Sequence, residues 1–330
     1  PQECFVIKGE TLKKVITQTS FATSDKETRP VLTGVNFSCE NKTLHCVATD
    51  SYRLAKKTVE INEDLNFNIT IPSKSLQEVV KTLEDDFDVD AELKKPAMTK
   101  QGDVWMLGMH RLVCGDSTLP EIYEKLMEGK KANLVVTDPP YNVNYEGSAG
   151  KIQNDNLEDD KFYNFLFAAF VNMEQNMERD ASIYVFHADT EGLNFRRAFK
   201  AAGFYLSGTC IWKKQSLVLG RSPYQWQHEP ILFGWKLGGK HMWYSDRKQS
   251  TIWEYDRPKK NDMHPTMKPV ELMAYPIRNS SMSNCIVLDP FGGSGSTMIA
   301  CEQTGRICRT IELDEKYADV ILFCEGKRIR

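Results

Sequence analysis

The chain has 330 residues, 41% of them hydrophobic and 26% charged, with a formal charge of −3, enough to bury a full core and to form two domains. No run approaches ~18 consecutive apolar residues and the N-terminus has no basic-then-apolar pattern, so neither a membrane-spanning helix nor export by a signal-peptide route is expected, and a cytoplasmic protein without a membrane partner is the expectation. The nine cysteines, at 4, 39, 46, 114, 210, 285, 301, 308 and 324, contain no C-x-x-C pair, which speaks against a metal centre or a disulfide framework.

Residues 1–90 carry no glycine-rich ligand loop. Periodicity places helices over Glu10–Thr19 and Ser73–Leu83, with strands at Gly34–Cys39, Thr43–Ala48 and Arg53–Ile61 between them. Phe21-Ala22-Thr23-Ser24, Arg29-Pro30-Val31-Leu32-Thr33-Gly34-Val35 and Ala48-Thr49-Asp50-Ser51-Tyr52-Arg53-Leu54-Ala55 resemble the middle domain of the bacterial sliding clamp of the replicative polymerase. The resemblance covers about the first two thirds of one clamp domain. It implies an α+β partial domain that cannot close a ring around DNA from one chain. In clamps the Thr-Asp-Ser-Tyr-Arg-Leu stretch forms part of a pocket for peptide motifs, which would give Thr49, Ser51 and Leu54 a role in docking replication proteins; the alternative is that they only hold the small domain together. Six acids among Glu84–Glu92, then Lys94-Lys95-Pro96, read as a solvated linker, set at 91–99, before a second domain from 100 to 330.

The segment Asn133–Asn142, NLVVTDPPYN, is an apolar strand delivering an acid, two prolines and a tyrosine to its carboxyl end, where open α/β sheets place ligands. The prolines stiffen the turn, so that the Asp138 carboxylate and a main-chain carbonyl can converge on one point beside the flat face of Tyr141. That suits a planar ring with an exocyclic amine, although a bare Asp-Pro-Pro also occurs in ordinary strand-to-helix turns. The loop Asn142–Asp155, with Gly147 and Gly150, is long enough for a lid. A long helix over Asp159–Met177, a strand at Ile183–Phe186, a helix over Thr190–Ala202 closed by Gly203 and a strand at Tyr205–Lys213 continue a βαβα order, which argues for a mostly parallel sheet covered on both faces.

Between Lys213 and Lys268 eleven Lys or Arg face five Asp or Glu, with eight aromatics interspersed; this local excess is the expected footprint for nucleic acid. Lys213–Tyr224 and Trp243–Lys260 read as loops and short strands, with Arg221, Gln225, Gln227, Arg247, Lys248, Gln249 and Arg257 suited to base edges or phosphates. His228 and His264 read as structural hydrogen-bonding residues.

Asn284–Thr297, NCIVLDPFGGSGST, is a second strand-turn, in which Gly292, Gly293 and Gly295 permit close approach of a ligand. It fits neither a dinucleotide fingerprint, which would need Gly or Ala at Met298, nor a phosphate loop, which would need Lys-Ser or Lys-Thr after the glycines. A strand at Ile307–Ile311 follows, and Glu312 stands at its end, 17 residues past Gly295, where a carboxylate can take both hydroxyls of a ribose.

Together Asp138-Pro139-Pro140-Tyr141, His264-Pro265-Thr266-Met267-Lys268-Pro269, Phe291-Gly292-Gly293-Ser294-Gly295 and, upstream, Cys114-Gly115-Asp116-Ser117 resemble the amino-group DNA methyltransferases of the β group, in which the catalytic motif precedes the cofactor motif. The resemblance covers residues about 100 to 323. It implies a Rossmann-like α/β methyltransferase with a target-recognition insert at about 213–263, using S-adenosyl-L-methionine as methyl donor and no metal. It assigns catalysis to Asp138, Pro139, Pro140 and Tyr141 and the donor site to Asp116, Asp289, Phe291, Gly292, Gly293, Gly295, Thr297, Glu312 and Lys268, while DNA contact is expected from Arg221, Gln225, Arg247, Lys248 and Arg257 of the basic region. Carbon-5 chemistry on cytosine is disfavoured because no cysteine follows a proline. Asp as the first motif residue is commoner in adenine-N6 enzymes, with N4-cytosine methylation and a non-catalytic, clamp-derived binding module as the alternatives. The expected partners are DNA and, through the clamp-like part, replication proteins; a homodimer stays open.

Overall fold

A computed structural model describes residues 7–24, 29–63, 65–82, 93–143, 146–147, 150–151, 155–219, 223–256 and 267–326. It divides into two compact units, Pro1–Asp86 and Phe87–Arg330.

In the first unit, α1 (Gly9–Ser20) leads into β1 (Gly34–Glu40), β2 (Thr43–Thr49), β3 (Leu54–Glu60) and β4 (Phe67–Pro72), and α2 (Ser73–Thr82) follows. The strands form an antiparallel sheet in the order β3-β2-β1-β4. Alternation along β1 and β2 sends Val35, Phe37, Leu44 and Cys46 to one face, where Val15 and Ile16 of α1 and Leu76 and Val80 of α2 close a core. The β2–β3 connection is pinned by Asp50, whose carboxylate accepts from the amides of Tyr52 (2.9 Å) and Arg53 (2.7 Å). Thr49 donates its hydroxyl to the Arg53 carbonyl (2.6 Å), Ser51 takes φ +78°, and Tyr52 and Leu54 project into solvent.

The second unit runs β5 (Val104–Leu107), β6 (His110–Cys114), α3 (Pro120–Met127), β7 (Ala132–Thr137), β8 (Glu146–Gly147), β9 (Gly150–Lys151), α4 (Asp159–Gln175), β10 (Met177–Phe186), α5 (Gly192–Ala201), β11 (Phe204–Val218), β12 (Trp226–Lys236), β13 (Ile252–Glu254), α6 (Val270–Ser280), β14 (Ile286–Asp289), α7 (Ser296–Thr304), β15 (Ile307–Glu312) and α8 (Glu315–Gly326). Nine strands make one sheet, β13-β11-β12-β10-β7-β14-β15-β6-β5. The central five, β10 to β6, are all parallel, while β12 and β5 join antiparallel. Period-2 alternation divides the apolar side chains between two cores. Val113, Val135, Ile183 and Val185 meet Ile122 and Leu126 of α3, Phe162, Leu166 and Phe170 of α4, and Phe195 and Phe199 of α5. Leu112, Leu134, Val136, Tyr184 and Phe186 meet Leu272 and Ile277 of α6, Met298 and Cys301 of α7, and Ala318 and Ile321 of α8. The sheet is therefore mostly parallel and covered on both faces.

Several elements differ from their expected bounds. β10 starts at Met177 rather than Ile183, with a register shift before Ser182. β11 extends to Val218, into a segment read as loops and short strands, because β12 pairs with it antiparallel over most of its length. Residues 93–99 lie against α8: Leu93 packs on Val320, and Asp319 accepts from the amides of Met98 (2.6 Å) and Thr99 (3.0 Å). Among the described residues no helix is long and apolar enough to cross a membrane.

Candidate active site

From β7 the chain crosses through α4 to β10 on one side, and from β14 it crosses through α7 to β15 on the other. The sheet therefore changes direction between β7 and β14, and a crevice at such a point receives ligands. The acid turn, the glycine turn, Glu312 and the Gly-Asp element all stand at the carboxyl ends of these parallel strands. Asp138 follows β7, Phe291 to Gly295 follow β14, Glu312 ends β15, and Gly115-Asp116 follow β6. The neighbouring ends are tied together: Thr137 donates to Asp289 Oδ1 (2.8 Å), Thr310 to the Asp289 carbonyl (2.8 Å), and Gly115 N–H to the Glu312 carbonyl (2.9 Å).

The acid turn holds a set of buried charges. Lys268 donates to Asp138 Oδ2 (2.8 Å), to the Tyr141 hydroxyl (3.0 Å) and to Glu229 Oε2 (3.1 Å), which uses all three of its ammonium hydrogens. The Tyr141 hydroxyl in turn donates to Asp138 Oδ1 and lies 3.2 Å from Glu229 Oε2. Glu229 Oε1 accepts from Lys214 (2.5 Å). The Lys268 ammonium also sits 5.1 Å from the ring centre of Tyr141, 5.5 Å from Phe186 and 5.9 Å from Trp212, an aromatic enclosure that favours a cation. Burial pushes Asp138 above the usual carboxylate range against the opposing pull of Lys268. Burial also acts on Glu229, but there Lys268 and Lys214 outweigh it and bring the carboxyl down to about 2. Beyond Tyr141 the turn is braced: Asp155 Oδ1 accepts from the amides of Tyr141 (3.0 Å) and Val143 (3.3 Å), and Asn142, at φ +58°, exchanges hydrogen bonds with the Leu157 backbone (2.6 and 3.1 Å).

The glycines of the second turn let it pack closely on β15 and α8 while Gly293 faces open space. A Cβ at Gly292 would stand 2.6 Å from Thr310 Oγ1, and Gly295, at φ +86°, caps the start of α7. Glu312 accepts from the amides of Gly293 (2.6 Å) and Asp314 (2.9 Å), and Asp289 from the Phe291 amide (3.2 Å). Burial raises both carboxyls to about 7, because these hydrogen bonds only partly offset lost hydration. Thr297 is buried at the start of α7, and Phe291 packs 5.9 Å from Phe165. Asp116 caps its own turn, accepting from the amide and hydroxyl of Thr118 (both 2.8 Å). Lys268, grouped with these residues on sequence, turns its ammonium to the acid turn and offers this side only its carbonyl, which accepts from Ser296 (2.9 Å). An acid at the end of β15 beside a glycine-rich turn fits a nucleoside with a ribose diol.

Residues 132–323, more than half of the chain, match the family model described as DNA methylase of the N6/N4 type. The chain belongs to this DNA methylase family. The protein YubD of Escherichia coli (strain K12) is 30% identical over 205 residues, 57% of this chain and 79% of that protein. Among solved structures, the PvuII DNA methyltransferase (cytosine-N4-specific) shares the fold with a TM-score of 0.53 at 17% identity, over 71% of this chain and 94% of that one. The M1.HpyAVI–SAM complex does so with a TM-score of 0.50 at 21% identity, over 64% and 98%. Residues 6–111 match the central domain of the DNA polymerase III beta subunit. The beta sliding clamp of Bacillus subtilis (strain 168) is 52% identical over 81 residues, 24% of this chain and 21% of the clamp. The chain thus spans about a fifth of the length of the clamps it matches.

In this DNA methylase the described residues expected to meet DNA lie on separate segments of the chain. Arg247 and Lys248 lie exposed on a turn closed by Asp246, which Gln249 fastens to Tyr275 of α6 (2.7 Å). Gln225 precedes β12, half-buried, and Gln227 is turned to the Lys214 carbonyl (3.1 Å). His228 pairs its ring with Trp226 at 5.7 Å. Arg221, Arg257 and His264-Pro265-Thr266 lie outside the described residues, as does half of the expected lid, of which β8 and β9 form a short ladder. Sequence reading passed over Glu229 and Lys214. The only signal was an ionisable side chain at inward positions of apolar strands, Glu229 ahead of Pro230-Ile231-Leu232 and Lys214 two residues after Trp212.

Proposed function

We propose that this chain transfers a methyl group to the exocyclic amine of a base in DNA, adenine N6 in the first place, with S-adenosyl-L-methionine as donor. The carrying observation is the acid–tyrosine turn after β7 set beside the glycine turn after β14, with the two tied through Thr137 and Asp289. Asp as the first motif residue favours adenine over cytosine; the fold shared with a cytosine-N4 enzyme does not separate the two.

S-adenosyl-L-methionine, when bound, supplies an electrophilic methyl on a sulfonium sulfur, so that the N–C bond forms as the S–C bond breaks and the amine gives up one proton. Glu312 would take the ribose hydroxyls, exchanging its hold on the Gly293 amide for them, while Gly293, where an added Cβ would meet nothing within 4 Å, leaves room for the nucleoside. Asp138 and the Pro139 carbonyl would accept from the amine hydrogens, localising the nitrogen lone pair and stabilising the positive charge that grows there. A carboxyl pushed upward by burial can then hold the departing proton at Asp138 Oδ2. Tyr141 would stack on a base turned out of the duplex, whose unpairing costs a few kcal/mol. Asp116, Asp289, Phe291, Gly293 and Thr297 would shape the donor site, and Arg247 and Lys248 would meet phosphates or base edges. Replication partners recruited through Tyr52 and Leu54 are a second role, favoured by the exposure of both side chains on the Asp50 turn.

The test is methyl transfer from labelled donor to unmethylated DNA, followed by nucleoside mass spectrometry. N6-methyladenine is expected. N4-methylcytosine would move the base assignment, and no methylated nucleoside at all would overturn the reading.

A further inference from the structure

Asp138 has both carboxylate oxygens engaged, Oδ1 with the Tyr141 hydroxyl and Oδ2 with Lys268 at 2.8 Å. A base amine that takes Oδ2 shares that oxygen with the Lys268 ammonium, whose side chain is only 10% exposed, and a proton then held on Oδ2 removes the charge with which Asp138 counters it. A buried ammonium stripped of its counter-charge is strongly unfavourable. Glu229 stands where that counter-charge is needed, 3.1 Å from the same nitrogen and itself held by Lys214, whose side chain is 6% exposed. Asp138, Glu229, Lys268 and Lys214 balance to zero. Glu229 stands opposite Trp212 in the β11–β12 pairing and Lys214 lies two residues further along β11, so both come from strands rather than from a loop.

Resting on the methyltransferase reading above, we propose that Glu229, backed by Lys214, is a positioning residue for the transfer. It keeps Lys268 countered while Asp138 turns to the amine. An uncompensated Lys268 beside a nitrogen becoming cationic would oppose the transition state, so the role is chiefly in turnover rather than in binding.

The experiment compares full-length wild type, Glu229→Gln and the double variant Glu229→Gln/Lys214→Met, which is again charge-balanced, in single-turnover methylation, donor binding and DNA binding. Glu229→Gln is expected to slow turnover about a hundredfold, with donor affinity changed less than about twofold, and the double variant to recover at least about tenfold of that loss. A merely structural role predicts the opposite order, since the second substitution would add to the damage. Turnover of Glu229→Gln within about twofold of wild type, or a double variant no faster than the single one, overturns the proposal. Should Glu229→Gln fail to fold, the double variant decides alone: turnover within about tenfold of wild type supports the proposal, and a loss of about a hundredfold or more overturns it. A wild type inactive on all DNA would sink the methyltransferase reading and this proposal together, whereas an active wild type with an indifferent Glu229 sinks this proposal only.

Discussion

Glu229 and Glu312 are both glutamates on strands of one sheet, yet they occupy opposite electrostatic worlds. Glu229 meets two lysines and is held down to about 2, while Glu312 meets only backbone amides and is raised to about 7. The acid turn is complete in its charges before any reactant arrives. At the donor end Asp289 and Asp314 stand near Glu312 and add to the upward push of burial. A site can thus divide its carboxylates between those that organise other groups and those that wait for a partner.

The largest effect should come from the acid turn. Asp138→Ala is expected to cost about 3 to 4 kcal/mol of barrier while donor binding persists, as read by single-turnover rates and calorimetry. Near-normal turnover would remove Asp138 from the chemistry. At the donor end, Glu312→Ala is expected to weaken S-adenosyl-L-methionine binding by ~1.5 to 3 kcal/mol, with much of the rate restored at saturating donor. Unchanged donor affinity would mean that Glu312 serves only its two amides.

The same contrast sets a pH dependence. Glu312 and Asp289 have folded values raised above the ordinary carboxylate range, so their stabilising contribution is full at low pH and is lost as pH rises towards about 7. Donor affinity should run the other way, improving across that window as Glu312 becomes a full acceptor. Glu312→Gln should flatten the affinity profile, and calorimetric titration across the window checks both signs. The smallest effect is expected from removing the clamp-like unit: a chain beginning at Phe87 should methylate short DNA at close to the full-length rate. One beginning at Met98 should melt lower, because it loses Leu93 from Val320 and the contact of Lys316 with the Leu93 carbonyl. A folded but inactive 87–330 would mean that the first unit completes the site or the DNA grip.

What could be read from the sequence was local. Asp138 to Tyr141, the glycine turn and Glu312 each follow a short apolar strand, and the turn chemistry lies within a few residues of it. Glu229 was hidden because the Tyr141–Glu229 contact spans 88 residues and the Lys268–Tyr141 contact 127. β12 was hidden for another reason: Pro230 argues for an edge or a break, yet β12 lies between β11 and β10, and its Pro230 carbonyl accepts from His187 N–H (3.1 Å). β4 gave no alternation to read, since most of its residues are exposed and it owes its place to pairing with β1.

The hydrogen bond from Thr137 to Asp289 carries one more consequence. In-line displacement tolerates little error, with reacting atoms brought to about 3 to 3.5 Å. Thr137 is the residue before Asp138 and Asp289 lies two before Phe291, so this one buried contact acts as a gauge block between the two jaws of the crevice. On the proposed reaction, the machining tolerance would thereby be set beneath the site, by one side-chain hydrogen bond between the two turns.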